Sequence, residues 1–561
     1  MDIDFTSLGF ETNFSILDWC IVIGYLITVV GIGVYIRKYI ASATDFMVAG
    51  RGLKTFLAIA TMIGTELGLV TVMYSSQKGF TGGFAAFHIA FAAAIVTLFV
   101  GISGFIVVPL RRLKVMTIPE FYEMRFGKDI RILGGIILAL SGILNMGMFL
   151  KAGSLFVTGV TGMTSEVHLK IVMTVLLCMV LLYTTLGGMV SVAILDYIQF
   201  VVLSFSLLFA SVMSIRYLGW DNIIDTVTRE MGQSGFNPFD KAGFGWTYVL
   251  WMFFMGLVSC AVWQTAVIRA CSAKSTGIVR RIYMLSSVGF LIRFLIPYFF
   301  GICALVFIAN NATLKDVFLS ADGKANSDLS LTAMPFYLSQ ILPAGFIGII
   351  SAGMLAAFMS THDSYLLCWS SVLTQDVVAP WFKKGLSSKA RLLLTRIFIV
   401  AIGIFILIWS LWYPLSQDLW DYMAISGSVY SIGGFALLAF GLYWKRASRA
   451  GAYLALTCGF FALFGLPEVQ YKLGSLFHPV QRLLGFTKEI PIEKLTDGMC
   501  LVKEVLPGDE IAMIYLIPSA IIGLIVLALA IVLMIVGSLL LPDKKGRSTL
   551  MKQRSNLDGL D

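Results

Sequence analysis

Charge is scarce in this chain. Asp, Glu, Lys and Arg make up 13% of its 561 residues, where a soluble domain carries about 25%. Hydrophobic residues reach 58% and the mean hydropathy is +0.88. A water-soluble globule is excluded and an integral membrane protein is implied. Histidine is rarer still, with 4 residues, and no metal-ligand spacing occurs. The 8 cysteines form neither a disulfide framework nor a zinc pattern, and all but Cys500 lie in or beside apolar runs. Also missing is the basic start of a cleavable signal. Residues 1–15 are polar and acidic, with Asp2, Asp4 and Glu11, so the first apolar run is expected to be retained. There is no phosphate-binding G-x-x-x-x-G-K-[ST] loop. Segments outside the apolar runs are too short for an enzyme domain, the longest being 467–511.

What is present is a succession of apolar runs, about thirteen of them long enough to span a bilayer. The first is "ILDWCIVIGYLITVVGIGVYI" (Ile16–Ile36) and the last lies within 512–541. Lysines and arginines concentrate in alternate loops: 37–54, 111–131, 269–281, 383–396, 445–449 and 544–554. That bias makes those loops cytoplasmic, with the N-terminus outside and the C-terminus inside. It also accounts for the net charge of +9 without a nucleic-acid partner, and no obligate protein partner is indicated. Two spans are interrupted, 53–76 by "TMIGTELG" and 246–271 by "MGLVSCAVWQTA". Interrupted helices at matching places in two halves are the sequence sign of an inverted-repeat transporter. The repeats would be 53–217 and 246–442.

Polar side chains at bilayer depth are costly and tend to face a cavity or a partner. "LAAFMSTHDSYLLCWSS" (Leu355–Ser371) packs five polar residues into an apolar run. Ala357, Ser360, Thr361 and Ser364 follow i, i+3, i+4, i+7 spacing and share one helix face. Such a face suits a hard monovalent cation, with unwound carbonyls from Gly64–Leu67 completing it. The alternative is that these hydroxyls bond to their own helix or join neighbouring helices. His362 and Asp363 point elsewhere and read as helix-end groups facing cytoplasmic water. Asp196 reads equally well as an interfacial carboxylate or a cation ligand. Lys151 and Arg293 either snorkel or present positive charge to an anionic solute. Arg293 lies about 18 Å into its span at helical rise, too deep to snorkel easily, and could instead neutralise Glu66.

Five segments carry a resemblance: "TIPEFYEMRFG" (Thr117–Gly127), "LGGMVSVAILDYIQ" (Leu186–Gln199), "QTAVIRACSAKS" (Gln264–Ser275), "LAAFMSTHDS" (Leu355–Ser364) and "FGLYWKRASRAGA" (Phe440–Ala452). In this order the chain resembles the sodium:solute symporter family, which includes sodium/glucose cotransporters and sodium/proline permeases. The resemblance implies an all-α membrane fold with a leucine-transporter-type 5+5 inverted-repeat core. An accessory helix, 16–36, would precede the core. Two helices within 450–541 would follow, with an extracytoplasmic loop at 467–511 and a cytoplasmic tail at 542–561. It further implies sodium-coupled symport of a small solute across the plasma membrane.

By position, the resemblance puts a main sodium site on the carbonyls of Gly64, Leu67 and Ala357 and the hydroxyls of Ser360 and Thr361. Asp196 and Ser364 match a second sodium position that some members use, so one or two Na+ are expected. The substrate region would include Glu66, Thr71, Lys151, Trp263 and Arg293. The polar partners of the sugar carriers are replaced here by Ala90, Ala424, Trp263 and Thr71. A buried polyhydroxylated ligand needs its hydrogen bonds satisfied, so a hexose is disfavoured. Arg293 instead favours a carboxylate-bearing solute: a monocarboxylate, an amino acid or an acidic sugar derivative. The alternatives are a sugar or polyol symporter, a membrane sensor on the same scaffold, or, more remotely, a membrane enzyme using Glu66, His362 and Asp363.

Overall fold

The computed structural model describes residues 11–36, 54–163, 165–240, 243–319, 329–382, 385–413, 419–472, 479, 483, 487–491, 502–505 and 511–543. The basic loops at 37–53 and 544–554, Cys500 and most of the tail lie outside these residues. In lipid a backbone must satisfy its own hydrogen bonds, so spanning segments of this composition become helices. Among the described residues, eleven helical stretches are long and apolar enough to cross a membrane, and Thr55–Glu66 and Arg449–Gly465 are shorter apolar helices.

The larger helices are α1 (Ile16–Ile36), α2 (Thr55–Glu66), α3 (Leu69–Gly82), α4 (Phe87–Ser103), α5 (Lys128–Met146) and α6 (Phe149–Thr161). They continue with α7 (Glu166–Leu218), α8 (Gly245–Val262), α9 (Gln264–Ser272), α10 (Thr276–Ala309) and α11 (Phe346–Val372). The last are α12 (Ser388–Trp412), α13 (Leu419–Tyr443), α14 (Arg449–Gly465) and α15 (Ser519–Leu540). Serine caps four of them: the Ser165, Ser275, Ser387 and Ser448 side chains accept from the N–H three residues on. Each such bond satisfies one of the free donors of a helix start. Arg125 closes the opposite kind of end, donating to the carbonyl of Gly441 in the last turn of α13 and to those of Trp444, Lys445 and Ala447 beyond it.

α7 is a hairpin of two arms. A Cβ placed at Gly33 would lie 3.0 Å from Tyr183 Cβ and 3.4 Å from Leu195 Cδ1. Twelve residues of straight helix would hold those two about 18 Å apart. The chain therefore doubles back between them, as the two expected spans require. α1 is pinned to the start of α11 by one carboxylate: Asp18 Oδ1 accepts from the N–H groups of Gly345 and Gly348, each at 2.7 Å.

The all-helical expectation holds for the membrane part and fails in one loop. Thr487–Pro491 (β1), Val502–Val505 (β2) and Ile511–Tyr515 (β3) form an antiparallel sheet in the order β1-β3-β2. β3 uses the first residues of the apolar run assigned above to the last span. That run is cut at Pro518, and the helix begins at Ser519.

Helices approach closely where glycine allows it. A Cβ on Gly301 of α10 would collide with the Ser76 carbonyl and lie 2.7 Å from the Phe80 nitrogen of α3. Both are backbone atoms that cannot step aside. Gly301→Ala should therefore lower stability by about 1–3 kcal/mol, read as a fall in the unfolding temperature of the detergent-purified protein. Gly24→Ala, with nothing within 4 Å of its Cβ, should leave that temperature unchanged.

Candidate functional site

The interruption between α2 and α3 organises the site. Leu67 (ψ 60°) and Gly68 (ψ 163°) leave helical geometry, which frees carbonyls just before them. Thr65 O accepts from Thr361 Oγ1 at 3.1 Å. Glu66 O accepts from Arg293 at 2.7 Å and from Thr71 Oγ1 at 3.0 Å. Gly68 sits against Thr361 so tightly that a Cβ would strike its hydroxyl. Thr361 also donates to Ala357 O at 3.1 Å. The face read from helical spacing therefore does meet the break, with the Thr65 carbonyl, between Gly64 and Leu67, making the direct contact.

Ser360 turns to a second centre. Its hydroxyl donates to Asp196 Oδ1, while Thr61 and Thr65 donate to Oδ2. Asp196 is fully buried, and Arg269 stands 3.5 Å away as its counter-charge. The Arg269 guanidinium also reaches Thr61 O, Thr265 O, Thr65 Oγ1 and Ser364 Oγ. Asp196 and Ser364, expected to frame a second cation, are thus brought together with a guanidinium already between them. Sequence reading had left Arg269 among the cytoplasmic basic loop residues. Its placement on α9, one turn inside the second interrupted helix, was the available signal.

His362 and Asp363 need correction. Neither faces cytoplasmic water; both are fully buried, because α11 continues for another ten residues. His362 Nδ1 pairs with Phe358 O at 2.9 Å and its ring packs on Phe358 and Phe149. Asp363 faces Tyr183 of α7 and its neighbour Ser364.

Beside the break lies a cavity of about 180 Å3. Glu66, Trp263 and Arg293 line it, and Thr71 and Lys151 do not. Thr71 is occupied beneath it with Glu66 O and Tyr74. Lys151 donates to Tyr413 O at 3.2 Å. Trp263 is the extended residue between α8 and α9, the second expected interruption, and donates to the Tyr365 hydroxyl at 3.0 Å. The expected neutralisation is present: Arg293 Nη1 lies 3.1 Å from Glu66 Oε2. Arg293 is flanked by Phe290 and Phe294, 4.1 and 4.4 Å from the ring centres.

The family model for the sodium:solute symporter family matches residues 46–459. The chain belongs to that family. It is a sodium-coupled symporter with a leucine-transporter-type fold. A sodium/sialic acid symporter of Proteus mirabilis is 24% identical over 465 residues, covering 80% of this chain and 89% of that one. A sodium/glucose cotransporter of Vibrio parahaemolyticus is 24% identical over 481 residues, covering 81% and 86%. Among solved structures, a substrate-bound, outward-open Na+-coupled sialic acid symporter superposes with a TM-score of 0.74 at 19% identity. It covers 95% of this chain and 100% of its own.

The buried Asp196–Arg269 pair generates a stability prediction. Arg269→Ala strands a carboxylate among hydroxyls in a closed interior and should cost about 3–5 kcal/mol. Adding Asp196→Asn should restore most of the lost unfolding temperature. Additive losses in the double variant would refute the pairing.

Proposed function

We propose that this symporter carries a small carboxylate-bearing solute by alternating access, with sodium held between the α2–α3 break and α11. The carrying observation is Arg293: it lines the cavity, and its Nε is buried without a hydrogen-bond partner. An acceptor brought by a solute would complete it. Sodium would take the Gly64, Leu67 and Ala357 carbonyls with the Ser360 and Thr361 hydroxyls. Its arrival replaces the Thr361–Thr65 hydrogen bond by ligation and stiffens the junction that also holds Glu66. Asp196 and Ser364 would serve a second ion only if the Arg269 guanidinium moves away. In this reading the protein is not an enzyme.

The two core repeats in this reading are 53–217 and 246–442. The accessory helix 16–36 precedes them, and 450–541 and a cytoplasmic tail follow. The protein sits in the plasma membrane with its N-terminus outside. Two polar clusters would close the mouths. Lys78 and Tyr248 meet Asp421 at 3.4 and 3.1 Å. Arg131 and Thr117 meet Asp376 at 2.8 and 2.9 Å. Each ties helices that alternating access must part. One charge moving through 100 mV supplies about 2.3 kcal/mol, enough to bias such ties. A sialic acid symporter among the relatives agrees with an acidic solute. Ala424 and Trp263, which stand where the sugar carriers have polar partners, weigh against a plain sugar.

The test is uptake into proteoliposomes of a solute found by sodium-dependent thermal stabilisation. Accumulation above the outside concentration, driven only by inward sodium, is expected; a sensor would not accumulate it. Thr361→Val should raise the sodium concentration for half-maximal uptake at least about tenfold, the effect of one lost polar ligand. If Arg293→Ala leaves the affinity for every carboxylate unchanged, the substrate assignment fails.

A further inference from the structure

Glu66 is the charged wall residue that a carboxylate site does not need. Its side chain keeps 16% exposure and that of Arg293 8%, and both face the cavity. Oε2 meets Arg293, and Oε1 accepts from Thr265 Oγ1 at 3.1 Å. No other charged side chain lines the cavity among the described residues; the rest of the wall is aromatic, methionine, aliphatic, small or neutral polar. Thr361 touches the break through Thr65 and Gly68, whereas the Glu66 carboxylate turns to α9 and α10. A cation on the Thr361 side is therefore separated from it by main chain.

A solute carboxylate docking on Arg293 Nε arrives beside this fixed negative charge. Two carboxylates would then share one guanidinium in a confined, apolar-walled space, where like charges repel most strongly. A solute carrying its own ammonium removes the conflict. Its carboxylate takes Arg293, its ammonium takes Glu66, and the cavity stays neutral. The aromatic part of the wall, with Tyr74, Phe294 and Trp420 packed edge to face, suits an apolar body.

We propose that Glu66 is a specificity-determining residue that makes the cavity select an apolar-bodied zwitterion, of the α-amino-acid type, and reject monoanions of the same shape. This rests on the carboxylate reading of Arg293. Rejection by a fixed charge against the wrong ligand is a common route to selectivity.

The test uses the full-length protein in detergent, in sodium or potassium chloride, with two matched pairs. These are L-leucine against 4-methylpentanoate and L-phenylalanine against 3-phenylpropanoate. At least one amino acid should raise the unfolding temperature in sodium, at a concentration at least about tenfold below that needed for its des-amino partner. Glu66→Gln should narrow or invert that ratio. Equal stabilisation by partner and amino acid in the wild type would overturn the role of Glu66 while leaving the carboxylate site standing. Stabilisation by neither amino acid would overturn the apolar zwitterion class. Stabilisation that survives Arg293→Ala would instead bring down the carboxylate reading itself. The wild-type pairs decide the matter even if Glu66→Gln fails to fold.

Discussion

A helix broken inside a membrane exposes carbonyls that lipid cannot satisfy, and everything central to this molecule answers that constraint. The break at Leu67–Gly68 frees Thr65 O and Glu66 O. Thr361 of α11 reaches one, and Arg293 of α10 with Thr71 reaches the other. Two long helices are thereby tied to opposite sides of one short unwound stretch. Any group that competes for those carbonyls must rearrange both. In the function proposed above, this is what would join an ion and a solute at one place.

Around the break stand two buried charge pairs. Asp196 has Arg269, and Glu66 has Arg293. Burying such pairs does little for stability in itself, but removing one member is costly. Their value lies in fixing geometry. Arg269 binds Thr61, Thr65, Thr265 and Ser364 into one cluster that spans α2, α9 and α11. Arg293 carries the second interaction across to the cavity.

Features that depend on local periodicity were legible in the sequence. The apolar runs marked the helices, and i, i+3, i+4 spacing marked the face of α11 that meets the break. Depth along a span made snorkelling awkward for Arg293, and a pair with Glu66 was one of the two readings that left. Features that depend on distant neighbours were not. Arg269 looks like a loop cation until α9 folds back on α2. His362 and Asp363 look like helix-end groups until Phe149 of α6 covers the one and Tyr183 of α7 the other. Lys151 looks like a cavity cation, yet the Tyr413 carbonyl at the end of α12 claims it. The strands at 487–515 escaped because β3 is itself apolar and merges with the run that follows.

The Asp18 contact has a mechanical meaning. Its carboxylate is clamped by the two N–H groups that open α11, the helix that carries Ser360 and Thr361. α1 precedes the family match at 46–459 by sequence, and most of its surface faces outward. It nonetheless packs along α11, and this clamp fixes it to that helix's first turn. A tilt of α1 therefore acts on the first turn of the helix that bears the hydroxyl face.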